Sequence, residues 1–310
     1  MTDPVHEELT SLGVIDPAGV TTFYPRTRDR DDVCVLRDRS GLLFLDRSTH
    51  ITQETYSANK GTSYWSAASR AEGLRKTWED DSRRAEQIRA LVSRRRWLDV
   101  GCGLGGTIEL LKGVAQKICA VEPQEEARAL LGVNAVASLR SYAPDAGDQY
   151  DIITLFHVFE HMREPLAELK HIHSLLASEG IVWIEVPQAR DWLIANCEAF
   201  RAHTFWSEHL VLHTRESLRR YLETAGFTEV SVQGFQRYGW ANHVGWLLEG
   251  KPGGQLRRPE LCGMDREHAE LMCRIDATDT LIAVGRKASQ SANEPSTVLR
   301  EEILSHHVSG

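Results

Sequence analysis

Apolar and polar positions change their period twice along this chain of 310 residues. From Met1 to about Asp31 no period is legible, and Pro4, Pro17 and Pro25 among many charges predict an irregular arm. Val33 to Asp46 alternates around Arg39-Ser40-Gly41, the pattern of a β-hairpin. Tyr56 to Trp65 is rich in aromatics and small polar residues and is broken by Gly61. Helical spacing follows from about Glu79 to Ser93, where Ile88, Leu91 and Val92 share one face.

From Trp97 onward strands and helices alternate. The runs Trp97–Val100, Lys117–Val121, Asp151–Leu155 and Ile181–Val186 read as strands. Helices are predicted after Gly105, over about Gln124–Leu131, around Pro165–Ala177 and over Thr214–Ala225, with Gly180 and Gly226 at two of their exits. Ser138 to Gln149, with Pro144, Asp145 and Gly147, reads as loop, and Asp145 and Asp148 read as turn formers. Two more strands are predicted at Glu229–Val232 and Thr280–Arg286. The alternation implies a parallel sheet with right-handed crossovers. Gln236 to Asp279 exceeds what a hairpin between the last two strands needs, so it is expected to cover the site or to pair subunits. The chain thus divides into an arm with a hairpin or lid (1–78), a core (79–287) with an insertion (236–279), and a mobile tail (288–310).

The densest chemistry lies in Trp97-Leu98-Asp99-Val100-Gly101-Cys102-Gly103-Leu104-Gly105-Gly106, followed by Lys117-Ile118-Cys119-Ala120-Val121-Glu122. A glycine-rich turn lets backbone approach a ligand at the carboxyl end of a sheet, and an acid closing the next strand can take two ribose hydroxyls. Dinucleotide sites favour G-x-G-x-x-G with a pyrophosphate on the helix that follows. Here the spacing from Gly101 is G-x-G-x-G-G, and Asp99 precedes it by two residues. An acid there repels a pyrophosphate but suits a cationic cofactor with an amino-acid end, such as S-adenosylmethionine.

With Val121-Glu122-Pro123 and the block Tyr150-Asp151-Ile152-Ile153-Thr154-Leu155-Phe156-His157-Val158-Phe159-Glu160-His161-Met162, the chain resembles the class I S-adenosylmethionine-dependent methyltransferases, in the branch with many small-molecule and sugar enzymes. The resemblance spans roughly Arg95 to Lys287. It implies a Rossmann-like, doubly wound α/β fold with a mostly parallel seven-stranded sheet, an N-terminal arm or lid, and an insertion before an antiparallel last strand. It also implies that S-adenosyl-L-methionine, converted to S-adenosyl-L-homocysteine, is held by Asp99, Gly101, Cys102, Gly103, Glu122, Pro123 and Phe156. His157, leaving its strand at the ligand edge, is the first candidate for a general base, and His209 in Phe205-Trp206-Ser207-Glu208-His209-Leu210-Val211-Leu212-His213-Thr214 is the second. Tyr64, Trp65, Glu185, His213, Tyr238, Asn242 and His243 are the candidate substrate contacts. A ubiquinone-pathway subgroup carries a divalent metal on Glu-x-x-Glu-His in this segment; the first position here is His157, and no metal is assigned. Segments 205–213 and 236–254 are similar to those of methyltransferases that serve surface-polysaccharide and glycan biosynthesis, which implies a sugar-type acceptor; a sugar, nucleotide sugar or natural-product intermediate is expected, and O-methylation rather than N- or C-methylation because it explains a need for a base.

Composition narrows the alternatives. A net charge of −8 and a pI near 5.9 disfavour a broad nucleic-acid surface. No apolar run reaches the roughly 18 residues of a membrane span, and Met-Thr-Asp-Pro lacks the basic and apolar parts of a signal peptide. Cys34, Cys102, Cys119, Cys197, Cys262 and Cys273 form no C-x-x-C pair and suit a reducing cytoplasm. The expected partner is a small-molecule acceptor, with a homodimer as an option. The rivals are a protein-directed methyltransferase, a cofactor-binding protein without turnover, and a nicotinamide dehydrogenase.

Overall fold

The computed structural model describes residues 3–57, 67–140, 142 and 149–289. Tyr64, Trp65, Asp145, Asp148 and most of the predicted tail lie outside them. The arm is ordered into elements that its sequence hides. Helix α1 (Pro4–Ser11) is capped by Asp3, whose carboxylate accepts from Val5 N, and buries only Val5 and Leu9, too short a stripe to show a period. Strand β1 (Thr21–Tyr24) pairs antiparallel with β2 (Val35–Arg37), and β2 with β3 (Leu43–Leu45) across the predicted turn, where Gly41 takes φ +91°. Helix α2 (Gln53–Ser57) is the arm's last element before residues 58–66, which lie outside the described residues.

Helix α3 (Arg70–Val92) starts at Arg70 rather than near Glu79. Its first half is polar and carries no apolar stripe, so periodicity misses it. Its start is set locally: Ser69 Oγ accepts from Glu72 N at 3.2 Å while the Glu72 carboxylate accepts from Ala68 N at 2.9 Å.

The core follows in order: β4 (Arg96–Val100), α4 (Gly106–Leu111), β5 (Lys117–Val121), α5 (Glu125–Ala129), β6 (Asn134–Val136), β7 (Tyr150–Phe156), α6 (Pro165–Leu175), β8 (Leu176–Pro187), α7 (Trp192–Asn196), α8 (Glu198–Thr204), β9 (Val211–Leu212), α9 (Arg215–Thr224), β10 (Thr228–Phe235), the insertion helices α10 (Trp240–Glu249), α11 (Gly254–Arg257) and α12 (Asp265–Arg274), and β11 (Thr280–Arg286). The main sheet has seven strands in the order β6-β5-β4-β7-β8-β11-β10; β11 runs antiparallel to both neighbours and the other pairings are parallel. Alternate residues serve opposite layers. Leu98, Val100, Ile153 and Leu155 pack with Leu169 and Ile172 of α6 and Leu218 and Leu222 of α9; Trp97 and Ile152 pack with Ile88 and Val92 of α3 and Ile108 and Leu111 of α4.

Gly180 does not end a helix. It lies inside β8, where an added Cβ would come within 2.9 Å of Ala177 O and 3.0 Å of Tyr150 O, so the absence of a side chain allows the close strand approach. Thr214 does cap α9: its hydroxyl accepts from Ser217 N, and Ser217 Oγ accepts from Thr214 N.

A second sheet, β1-β2-β3-β9, joins the arm to the segment after β8, with Leu43 opposite Leu212 and Phe44 opposite Val211. Leu45 N donates to Leu210 O and Arg28 N to Phe205 O. His50 Nε2 lies 2.7 Å from Ser207 O. The arm therefore fixes the loop that carries Trp206 and His209. Among the described residues no helix is long and apolar enough to cross a membrane.

Candidate active site

Chain order reverses on either side of β4, so the loops after β4 and β7 diverge and leave a crevice at the carboxyl edge of the sheet. A cavity of about 770 Å³ occupies it. Its wall takes in the glycine loop (101–106), Glu122-Pro123-Gln124, the turn after β6, Phe156-His157-Val158, the His161–Glu164 stretch, Trp206 and His209, with Ile51, Thr52 and Tyr56 contributed by the arm.

Gly101, Gly103 and Gly105 all adopt left-handed backbone, with φ +71°, +55° and +75°. At Gly101 an added Cβ would also lie 2.3 Å from Val158 Cγ2, so the loop needs glycine both for its turn and for its packing. The loop is locked from outside by Glu122. This buried carboxylate accepts from Gly103 N and from Gln124 N, each at 2.9 Å, one bond per oxygen. A carboxylate has about four lone-pair positions, so two remain for a ligand. Burial raises the Glu122 pKa, against the two backbone bonds. Cys102, Pro123 and Phe156 also line the cavity, and the Arg84 guanidinium lies 5.0 Å over the Phe156 ring.

Asp99 sits one layer behind this wall and does not line it. Its carboxylate accepts from Thr154 Oγ1 at 2.6 Å, and Thr154 Oγ1 accepts from Trp97 Nε1 at 2.8 Å, a chain set by the register that places Asp99 opposite Thr154. With 2% exposure, burial pushes the Asp99 pKa up to about 7.

His157 turns out of β7 with φ +54°, a conformation rare outside glycine. Its Nδ1 is 3.2 Å from Glu160 Oε1 and its Nε2 is 3.3 Å from Glu185 Oε1. Burial opposes its charge, but the two carboxylates outweigh it and hold the pKa above the usual imidazole value. Arg237 NH1 stands 3.4 Å from Nε2. Both ring nitrogens are thus occupied, which leaves His157 poorly arranged to take a proton from an acceptor. His209 is the opposite case: burial and the neighbouring His161 push its pKa down to about 3, and its Nδ1 has no hydrogen-bond partner among the described residues.

The other predicted substrate contacts are placed elsewhere. Glu185 is fully buried and bonded by Arg83 and Arg84 at 2.7–3.0 Å; burial opposes its ionisation, but Arg84, His157 and Arg83 hold its pKa well below the usual range. His213 is buried in the core, stacked on Phe159 at 5.1 Å with Nδ1 3.1 Å from Ser217 Oγ. In the insertion, Asn242 accepts from Gly253 N, and the buried His243 packs against His268 at 4.3 Å. None of these lines the cavity, nor does Tyr238; the insertion reaches it through Arg237. A strand end at the sheet edge and an aromatic-rich insertion single these residues out in the sequence, whereas their polar groups serve internal pairing and packing.

Sequence reasoning missed Asp80, Asp81 and Arg84, all on α3 and all on the cavity wall. Asp81 accepts from Thr77 and Thr107, and Asp80 pairs with Arg237, whose Nε lies 2.6 Å from Asp80 Oδ1. The Ser69-x-x-Glu72 start of α3 was the available signal.

Sheet order, crevice, glycine loop and acid after the second core strand together define a Rossmann-like enzyme with a nucleotide-type cofactor at its carboxyl edge. A family model described as a methyltransferase domain matches residues 70–232, just over half of the chain. The chain belongs to this methyltransferase family, and S-adenosyl-L-methionine is its methyl donor. No match was found among curated proteins. Among solved structures, the chain is similar to the complex of the Haloferax volcanii Trm112 methyltransferase activator with a proposed methyltransferase, at 13% identity over 75% of this chain and 98% of that one, with a TM-score of 0.52. It is also similar to a SAM dependent methyltransferase from Archaeoglobus fulgidus, at 21% identity over 67% of this chain and 94% of that one, with a TM-score of 0.47.

Proposed function

We propose that the protein transfers a methyl group from S-adenosyl-L-methionine to a hydroxyl of a small polar acceptor, a sugar, nucleotide sugar or natural-product intermediate. The observation that carries this reading is that one cavity of about 770 Å³ has the glycine loop and Glu122 on one side and His157, His161, Trp206 and His209 on another. That volume lies within the range of ligand sites and has room for a nucleoside beside a small second molecule.

The residues fit the cofactor. The open lone pairs of Glu122 suit the two ribose hydroxyls, and the left-handed glycines bring bare backbone against the methionine part. Asp99 acts on the methionine ammonium from behind the loop. When bound, the cofactor supplies an electrophilic sulfonium methyl. The chain's own part is positioning: it holds the acceptor in line with that methyl and excludes water. His209 and His161, neutral imidazoles on the cavity wall, are the groups that the acceptor hydroxyl meets, while His157 holds Glu160 and Glu185 in place.

Calorimetric titration with S-adenosylmethionine, S-adenosylhomocysteine and NADH tests the cofactor half. Micromolar binding of the first two alone supports it, and binding of the nicotinamide, or of none of the three, overturns it. Transfer of labelled methyl to a panel of hydroxylated metabolites tests the acceptor half.

A further inference from the structure

We infer that Arg163 binds an anionic group of the acceptor, a carboxylate or a phosphate ester, so that the hydroxyl to be methylated belongs to a negatively charged molecule. The inference rests on the methyl-transfer reading above and narrows the chemical class of its second substrate.

Among the described residues, four guanidinium groups stand on the cavity wall: those of Arg84, Arg140, Arg163 and Arg237. Carboxylates of this chain answer three of them. Arg84 lies 2.8 Å from Glu185, Arg140 pairs with Glu164 and Glu168, and Arg237 Nε lies 2.6 Å from Asp80. Arg163 has no such partner among the described residues, and its Nε is closed off from solvent with no acceptor for its N–H. The adjacent acid, Glu164, is taken by Arg140. An enclosed guanidinium N–H left unanswered is costly unless a ligand supplies the oxygen.

The position of Arg163 in the wall points to the acceptor. It follows His161 by two residues, and the His161 ring meets His209 at 4.8 Å, Trp206 at 5.9 Å and Tyr56 at 6.0 Å, all on the cavity wall. Met162 between them is extended, with φ −76° and ψ 132°, which sets the backbones of His161 and Arg163 about 6–7 Å apart. A molecule that brings its hydroxyl to His161 and its charge to Arg163 spans about that distance, the scale of one sugar ring with its substituents. Trp206 and Tyr56 give the body of such a molecule aromatic cover. The planar edge of a guanidinium matches two oxygens of a carboxylate or of a phosphate equally well, so both sources share one chemistry. A neutral acceptor leaves Nε unanswered, and the site discriminates against it on that ground.

The test is calorimetric titration of the full chain, saturated with S-adenosylhomocysteine, with glucuronate, glucose 1-phosphate and glucose at matched ionic strength. At least one of the two anions should bind about tenfold or more tightly than glucose, and which one does so identifies the carboxylate or the phosphate ester. Arg163→Gln should bring that anion to the level of glucose, and Arg163→Lys should recover part of the difference, while S-adenosylhomocysteine affinity stays within about twofold in both variants. Neither anion binding more tightly than glucose, or an anion preference that survives in Arg163→Gln, overturns the inference. A large loss of S-adenosylhomocysteine affinity in Arg163→Gln also overturns it, because the group would then serve the cofactor. The wild type must first bind S-adenosylhomocysteine, so a failure of the methyl-transfer reading shows before any acceptor probe is added. Glucose binding as well as the two anions leaves that reading standing and removes only the anion site.

Discussion

Glu122 and Asp99 are both buried acids beside the glycine loop, yet their surroundings give them different work. Glu122 spends one lone pair per oxygen on backbone, and the rest are those proposed to meet the ribose. Replacing it by alanine should weaken S-adenosylmethionine binding by about 1.5–3 kcal/mol, the usual worth of hydrogen bonds to a charged group; calorimetry giving wild-type affinity would remove the ribose assignment. Asp99 has a single side-chain bond and a pKa raised to about 7. Because the folded state holds this proton more tightly than the unfolded chain, its stabilising effect is full below about pH 4 and is lost as pH rises through about 7. Urea unfolding at pH 5 and pH 8 should show a loss on the order of 1 kcal/mol per pH unit in that window, and Asp99→Asn should flatten it. The loop residues were legible because a ligand at a sheet edge demands glycine and acid at fixed spacing. His209 was legible as a candidate, but its convergence with Glu160 and His161 depends on strand pairing between distant segments, which no local pattern records.

At the scale of elements, apolar runs announce buried strands well, and β4, β5, β7 and β11 lie where the sequence puts them. The misses share one cause. The first half of α3 carries charges rather than an apolar stripe, and α1 has a stripe of two residues. Yet α3 carries the Arg83–Glu185 and Arg84–Glu185 pairs that fasten it to the carboxyl end of β8, and Asp80, which meets Arg237 from the insertion. Glu185→Ala would leave two largely buried guanidinium groups without their shared carboxylate, and a loss of about 3–5 kcal/mol in denaturant unfolding is expected. Because Glu185 is off the cavity wall, the S-adenosylhomocysteine affinity of the folded fraction should change little.

For the whole molecule, the fold is that of the family, and the departures from it are additions at its edges. The arm contributes Ile51, Thr52 and Tyr56 to the cavity, and the insertion contributes Arg237. A cofactor bound in this cavity, which loops after four strands line, would stabilise the assembly as a unit. At a hundred times its Kd, S-adenosylhomocysteine should add about 2.7 kcal/mol to unfolding free energy, read as a higher melting temperature, and Glu122→Ala should cut this to about 0.3–1.3 kcal/mol at the same concentration.

The pairing of β3 with β9 also sets an order of events during synthesis. Leu43 and Phe44 leave the ribosome long before Leu212 and Val211, their partners, exist. Until then the β1-β2-β3 ribbon has an open edge, a hazard that short strands of three and four residues keep small. The glycine loop and Glu122 precede β9 as well, so the part of the cavity proposed for the methyl donor is synthesised before the part with His209. The last residue of the cavity wall to be made is Arg237 of the insertion.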